Sequence, residues 1–106
     1  MSAELLAKTT EAAFAIDVSG RGGAFNSAVQ RFVAILKTVP DYGPAEISSD
    51  DAGAIVAMAE SVISRIEARL SAGDDRERTQ TDIAEGIYDI RAALEQIYIW
   101  RKHYGR

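Results

Sequence analysis

The 106-residue chain contains no cysteine, and that single absence removes disulfides, thiolate nucleophiles and cysteine-bound metals together. It fits a reducing compartment, with the cytoplasm as the expected location. Histidine occurs once, as His103. A metal site needs three or four converging ligands, and none converge on His103 by sequence, so neither metal nor cofactor is expected. Next to Arg101, Lys102 and Arg106, this histidine is better suited to complement the negative end of a helix dipole. Long apolar runs are missing too: none approaches the roughly 18–20 residues that span a bilayer. No basic stretch followed by an apolar core marks an export signal. Positive charge is also short, with 12 Lys and Arg against 16 Asp and Glu and a formal net charge of −4. The resulting field repels phosphate backbones and anionic lipid heads, so neither direct nucleic-acid binding nor membrane binding is expected.

What is present is the composition of one globular domain, with 47% apolar and 26% charged residues and only two prolines. A chain of this length buries roughly two-thirds of the surface it exposes when unfolded, enough for a single core. Four helical segments follow from the apolar spacing. The first is expected over residues 3–18, with Ser2 as its cap and Leu6, Thr9, Ala13 and Ile16 on one face. It stops at Ser19-Gly20-Arg21-Gly22-Gly23. The second, over 25–38, places Val29, Phe32, Val33 and Leu36 at the spacing of an amphipathic helix, and Pro40, Gly43 and Pro44 break the pattern after it.

The third segment, over 50–72, has Ser48 or Ser49 as cap, Asp50 and Asp51 at its positive end, and Gly73 as its stop. Its stripe is Ile55, Val56, Ala59, Val62, Ile63, Ile66 and Leu70. Residues 74–79 read as a charged linker. In the fourth segment, over 81–104, Ile83, Ile87, Ile90, Leu94 and Ile97 step by four and three, the seam of a bundle helix. The expected fold is all-α: a single compact antiparallel bundle of about four helices.

Several chemical motifs fail on inspection. Gly20-Arg21-Gly22-Gly23 lacks the Lys-Ser/Thr pair and the preceding strand of a phosphate-binding loop and reads as a plain turn. Glu85 and Asp89 share a helix face, but the Glu-x-x-His companion of a di-metal bundle is missing, so a solvated acidic face is expected. Residues 74–78 do not match a calcium loop. The dianion pocket of chorismate mutase would need inward-pointing Arg and Lys, whereas the first segment offers only Lys8, and Arg65 and Arg69 fall beside the third stripe. No catalytic residues are assigned, and an enzyme is not expected.

The least ordinary stretch is the end of the fourth segment, Tyr98-Ile99-Trp100-Arg101-Lys102-His103-Tyr104. Successive helical residues point in different directions, so one buried face cannot hide Tyr98, Ile99 and Trp100 together. Aromatic residues beside Arg are enriched at protein-binding hot spots. Tyr42, between Pro40 and Pro44, sits on a stiffened loop that either presents an aromatic at low entropic cost or folds it back over the core, the second being the preferred reading. Tyr42, Tyr98, Trp100, Arg101 and Tyr104 are therefore the candidate partner-binding residues. Gly86, within the fourth segment, is explained by a close helix crossing or by a partner contact, with packing the preferred account.

A non-enzymatic protein-binding module follows, one that blocks a partner by direct contact. A self-associating subunit is the alternative, and a small helical enzyme or ligand carrier the third reading. In size, acidity and helicity the whole chain resembles the small inhibitors that phages direct against bacterial defence, anti-CRISPR proteins among them. That resemblance rests on general character and includes no shared motif. It implies direct contact with a CRISPR effector or its nuclease-helicase, and it assigns no residue a role.

Overall fold

A computed structural model describes residues 2–20 and 23–104, and within them the chain forms four α-helices and no strand. α1 spans Ser2–Ala15, α2 Gly23–Thr38, α3 Ser49–Ala72 and α4 Glu77–Tyr104, with a short 3-10 turn over Val39–Asp41. The all-α bundle expected from the apolar spacing is the fold.

Local chemistry sets the boundaries. The Ser48 hydroxyl accepts a 3.1 Å hydrogen bond from the Asp51 N–H and caps α3. Gly73 closes that helix at φ 71°, a left-handed conformation that favours glycine, with its N–H bonded to the Leu70 carbonyl. α1 ends at Ala15, short of Val18, because the Asp17 carboxylate accepts from the Ser19 N–H at 3.0 Å and the Ser19 hydroxyl at 2.7 Å. Those two bonds turn the backbone out of the helix and hold the Asp17 carboxyl below its ordinary pKa. α4 begins at Glu77 and not near Thr81. Nothing after Gly73 forbids helix, Glu77 suits a positive helix end, and the Gln80 N–H already bonds the Arg76 carbonyl at 2.8 Å. Ser2 is not a cap. It is the first residue of α1, and its hydroxyl donates to the Asp51 carboxylate of α3. Arg21 and Gly22, in the expected glycine-rich turn, lie outside the described residues.

Side-chain pairs give the helix directions. Glu67 meets Arg91 and Glu60 meets Tyr98, so α3 and α4 are antiparallel. Arg31 faces Glu11 across the antiparallel α1–α2 pair. Ser2 against Asp51 makes α1 and α3 parallel, and Asp89 against Gln30 does the same for α2 and α4. Consecutive helices thus alternate in direction, while the α2–α3 connection crosses the bundle. α1 packs on α2 and α3, α4 packs on the same two, and α1 and α4 stand on a diagonal. Twenty-eight residues of α4 at about 1.5 Å each account for most of the 45 Å long axis.

The stripes expected for α2 and α4 are buried in full, as is the α3 stripe from Ile55 to Ile66, with Leu70 half-buried at its end. On α1 the stripe is rotated: Leu5 and Ala12 are buried with Thr9, Ala13 and Ile16, while Leu6 packs at the edge. The buried Thr9 hydroxyl is satisfied by the Leu5 carbonyl at 2.7 Å.

Gly86 is the close crossing that its position suggested. A methyl group placed there would lie 3.3 Å from the Val29 Cγ1 of α2, whereas one placed on Gly53 would meet only the Arg101 guanidinium, at 3.5 Å. Alanine gains about 1 kcal/mol of helix propensity at either site. Gly53→Ala is expected to raise the urea midpoint by a few tenths to 1 kcal/mol of stability. Gly86→Ala is expected to lower it, because crowding a filled core costs about 1–3 kcal/mol. Equal shifts in the two variants would mean that Val29 yields freely.

The end of the bundle where α1 finishes and α4 starts is tied by Arg69. Its side chain is 11% exposed and its partner Asp75 14%, and the guanidinium makes a two-pronged contact with that carboxylate at 3.0 and 3.1 Å. The remaining guanidinium nitrogen donates to the carbonyls of Val18 at 2.9 Å and Gly20 at 2.6 Å, and the group stacks 5.0 Å from the centre of the Phe25 ring. The sequence placed Arg69 beside the stripe; the fold turns it inward over the loop and uses all its faces. Asp75, read as part of a linker, is the counter-charge.

Candidate interaction surface

The opposite end of the bundle carries the aromatic cluster. Along α4, Ile97 and Trp100 point into the core, Arg101 and Tyr104 follow on the flank, and Tyr98 and Ile99 turn outward. Of the three consecutive residues that one face could not hide, Trp100 is the one buried. It is 7% exposed, its indole N–H donating at 2.8 Å to the Tyr42 carbonyl. Trp100 is therefore an anchor of the end and not an exposed contact. Its hydrogen bond pins the loop that follows the 3-10 turn, and Tyr42 packs half-buried against the core instead of standing free at a loop tip.

That loop folds back through a tight turn, with the Glu46 N–H on the Gly43 carbonyl at 3.0 Å and the Gly43 N–H on the Glu46 carboxylate at 3.0 Å. It brings Pro44 and the buried Ile47 against the start of α3. The result is an open cavity of about 270 Å³ walled by Pro44, Ile47, Ser49, Ala52, Trp100, Arg101 and Tyr104. The Tyr104 ring tilts 59° against the Trp100 ring at 5.6 Å, and His103 meets Tyr104 edge-on at 4.7 Å. Arg101 is half-buried, lying over Gly53, where α3 has no side chain.

Tyr98 belongs to another face. Its hydroxyl donates to the Glu60 carboxylate at 2.8 Å across the α3–α4 groove. Burial pushes its phenol above the ordinary pKa, and the Glu60 hydrogen bond adds to the rise. The groove beneath has Ile63 and Leu94 in its floor and Glu60, Glu67 and Glu95 along its sides, with Glu67 paired to Arg91 at 2.5 Å. The fold thus brings Trp100, Arg101 and Tyr104 to one cavity, sets Tyr42 behind it and directs Tyr98 to the neighbouring groove.

Sequence reasoning missed the cavity's other walls, Pro44, Ile47 and Ala52, because their meeting depends on how the loop folds and no local signal records that. It also missed two aromatics that protrude far more than any in the cluster, Phe14 at 82% and Tyr88 at 72% exposed. Ile99 lies eleven residues after Tyr88 on the same outer face of α4, so the helical spacing did carry a signal for that pair. Asp89 is tied to Gln30 at 2.9 Å in a small polar groove beside Glu85. No cluster of three His, Asp or Glu side chains able to hold a metal occurs among the described residues, and no helix among them is long and apolar enough to cross a membrane. No protein family matches the chain, and no similarity was found to a curated protein or to a solved structure.

Proposed function

We propose that the protein is a non-enzymatic binding module, an inhibitor that blocks its partner by covering part of the partner's surface. The observation that supports this most is the C-terminal end of α4. There Tyr104 is 48% exposed on a helix held by Trp100, on the rim of a cavity with a guanidinium on its wall, and Ile99 is 55% exposed on the outer face of the same helix. Rigid aromatic and aliphatic groups beside Arg, around a pocket already formed, supply contact area at low ordering cost. The net charge of −4 favours a partner with a basic surface and disfavours a phosphate backbone. The likeness in size, charge and helicity to anti-CRISPR proteins makes a CRISPR effector or its nuclease-helicase the first partner to test.

The test is capture of a defined complex on the immobilised protein from bacterial lysate, read by mass spectrometry. Ile99→Ala serves as the variant of the outer face and Tyr104→Ala as the variant of the cavity rim, both side chains being about half exposed. One complex retained by the parent and lost by either variant is the expected result. Retention unchanged in both would move the contact elsewhere on the molecule.

A further inference from the structure

In an acidic protein, a half-buried arginine ordinarily finds a carboxylate. Arg69, sheltered like Arg101, pairs with Asp75; the exposed Arg31 and Arg91 pair with Glu11 and Glu67, and Arg65, Arg76 and Arg78 are exposed to solvent. Arg101 is the exception. It is half-buried, yet makes no ion pair or hydrogen bond with any described residue. The reason is positional: α4 carries it over Gly53, and its guanidinium becomes one wall of the cavity whose other sides are Pro44, Ile47, Ser49, Ala52, Trp100 and Tyr104. Lys102 and His103 follow it in the last turn of the helix, while Asp50 and Asp51 stand in the first turn of α3 at the same end of the bundle.

We infer that this cavity is a receptor for the C-terminal residue of the partner protein, one whose bulky apolar side chain fills the cavity and whose free carboxylate meets Arg101. This deepens the reading of the protein as a binding module and rests on it. The volume of about 270 Å³ suits a single aromatic or branched aliphatic side chain and is at or below the range of pockets that enclose a cofactor or drug-sized ligand. Ile47, Pro44 and Ala52 supply the apolar wall, the Trp100 and Tyr104 rings offer faces for stacking, and the planar guanidinium is matched to a carboxylate by two parallel hydrogen bonds. Protein as the source follows from the setting, since the cavity is open and the half-exposed Tyr104 on its rim offers further contact area that a small molecule would leave uncovered.

The experiment titrates the intact protein with N-acetyl-L-phenylalanine and, separately, with the uncharged N-acetyl-L-phenylalaninamide. The Trp100 indole N–H, from the only tryptophan, is followed by NMR. The carboxylate probe is expected to shift that signal saturably and to bind about tenfold more tightly than the amide, the worth of one charge-assisted contact. Arg101→Gln should bind the two probes equally, and Arg101→Lys should fall between, keeping the charge but losing the fork. Because Arg101 makes no ion pair with a described residue, both variants should keep the parental urea midpoint, which shows that lost binding is not lost folding. Equal binding of acid and amide by the parent, or no shift with either, overturns the inference.

The same probe is then added to the captured complex. Displacement of the partner at probe concentrations that saturate the cavity supports a partner residue as the natural occupant. A partner that is captured but not displaced overturns the docking assignment and leaves the binding-module reading intact. A probe that binds where no partner is captured also overturns that assignment, and the failure then lies with the binding-module reading.

Discussion

Arg69→Met is expected to lower the free energy of unfolding by about 3–5 kcal/mol, the cost of removing one partner from a buried charge pair. The side chains of Arg69 and Asp75 are 11% and 14% exposed, so water replaces the two-pronged contact only poorly. The Val18 and Gly20 carbonyls lose their guanidinium donor in the same step, and Phe25 loses the cation over its ring. Conversion of both charges to apolar groups, Arg69→Met with Asp75→Leu, should recover a large part of the loss, because two desolvated ions are often replaceable by well-packed hydrophobic groups. Urea denaturation of the two single variants and the double variant decides the point. A loss below about 1 kcal/mol in Arg69→Met, the range of a surface pair, would show that the clasp is solvated.

Trp100→Ala should be of comparable size, about 3–5 kcal/mol, since it empties a large aromatic site in the core. Trp100→Phe separates two contributions to that loss. It keeps a ring in place but leaves the Tyr42 carbonyl without the indole N–H that now sits 2.8 Å away, an expected cost of about 1–3 kcal/mol. Near-parental stability in Trp100→Phe would mean that water replaces the indole at that carbonyl. Either way, Trp100 is a poor choice for probing a contact surface, because a failure to bind would report a loosened loop and a damaged core. Ile99, Arg101 and Tyr104 are the positions where binding and folding can be separated.

The helices themselves were legible because each is a local property. The spacing of Val29, Phe32, Val33 and Leu36 or of Ile83, Ile87 and Ile90 needs no knowledge of the partner helix to reveal a buried face. Gly73 as a left-handed stop and Gly86 as a crossing were legible for the same reason: only a few roles suit glycine there. Arg69 was not legible, because its acceptors at Val18 and Gly20 lie 51 and 49 residues away and are backbone atoms, which leave no trace in the sequence. The start of α4 was misplaced because charged residues are compatible with both a loop and the solvated first turn of a helix.

At the aromatic end the sequence established that Tyr98, Ile99 and Trp100 could not all be hidden. Which one turns inward depended on the Tyr42 carbonyl, and that is a fact of the loop. Cavity formation by Pro44, Ile47 and Ala52 was invisible for the same reason. Phe14 shows the opposite limit, since its neighbours Ala12 and Ala13 are buried and nothing in its type announced that it would protrude.

The crossing from α2 to α3 makes the molecule two hairpins laid on one another, α1 with α2 and α3 with α4, joined by one segment. Such a layout is open to domain swapping: if the joining segment straightened, the first hairpin of one copy could dock on the second hairpin of another and rebuild every native contact between them. The chain guards that hinge at successive points. Val39 and Ile47 are buried on either side of it, and the Tyr42 carbonyl between them is held by Trp100. The indole N–H therefore has a task beyond satisfying one oxygen: it keeps each hairpin paired with the one on its own chain.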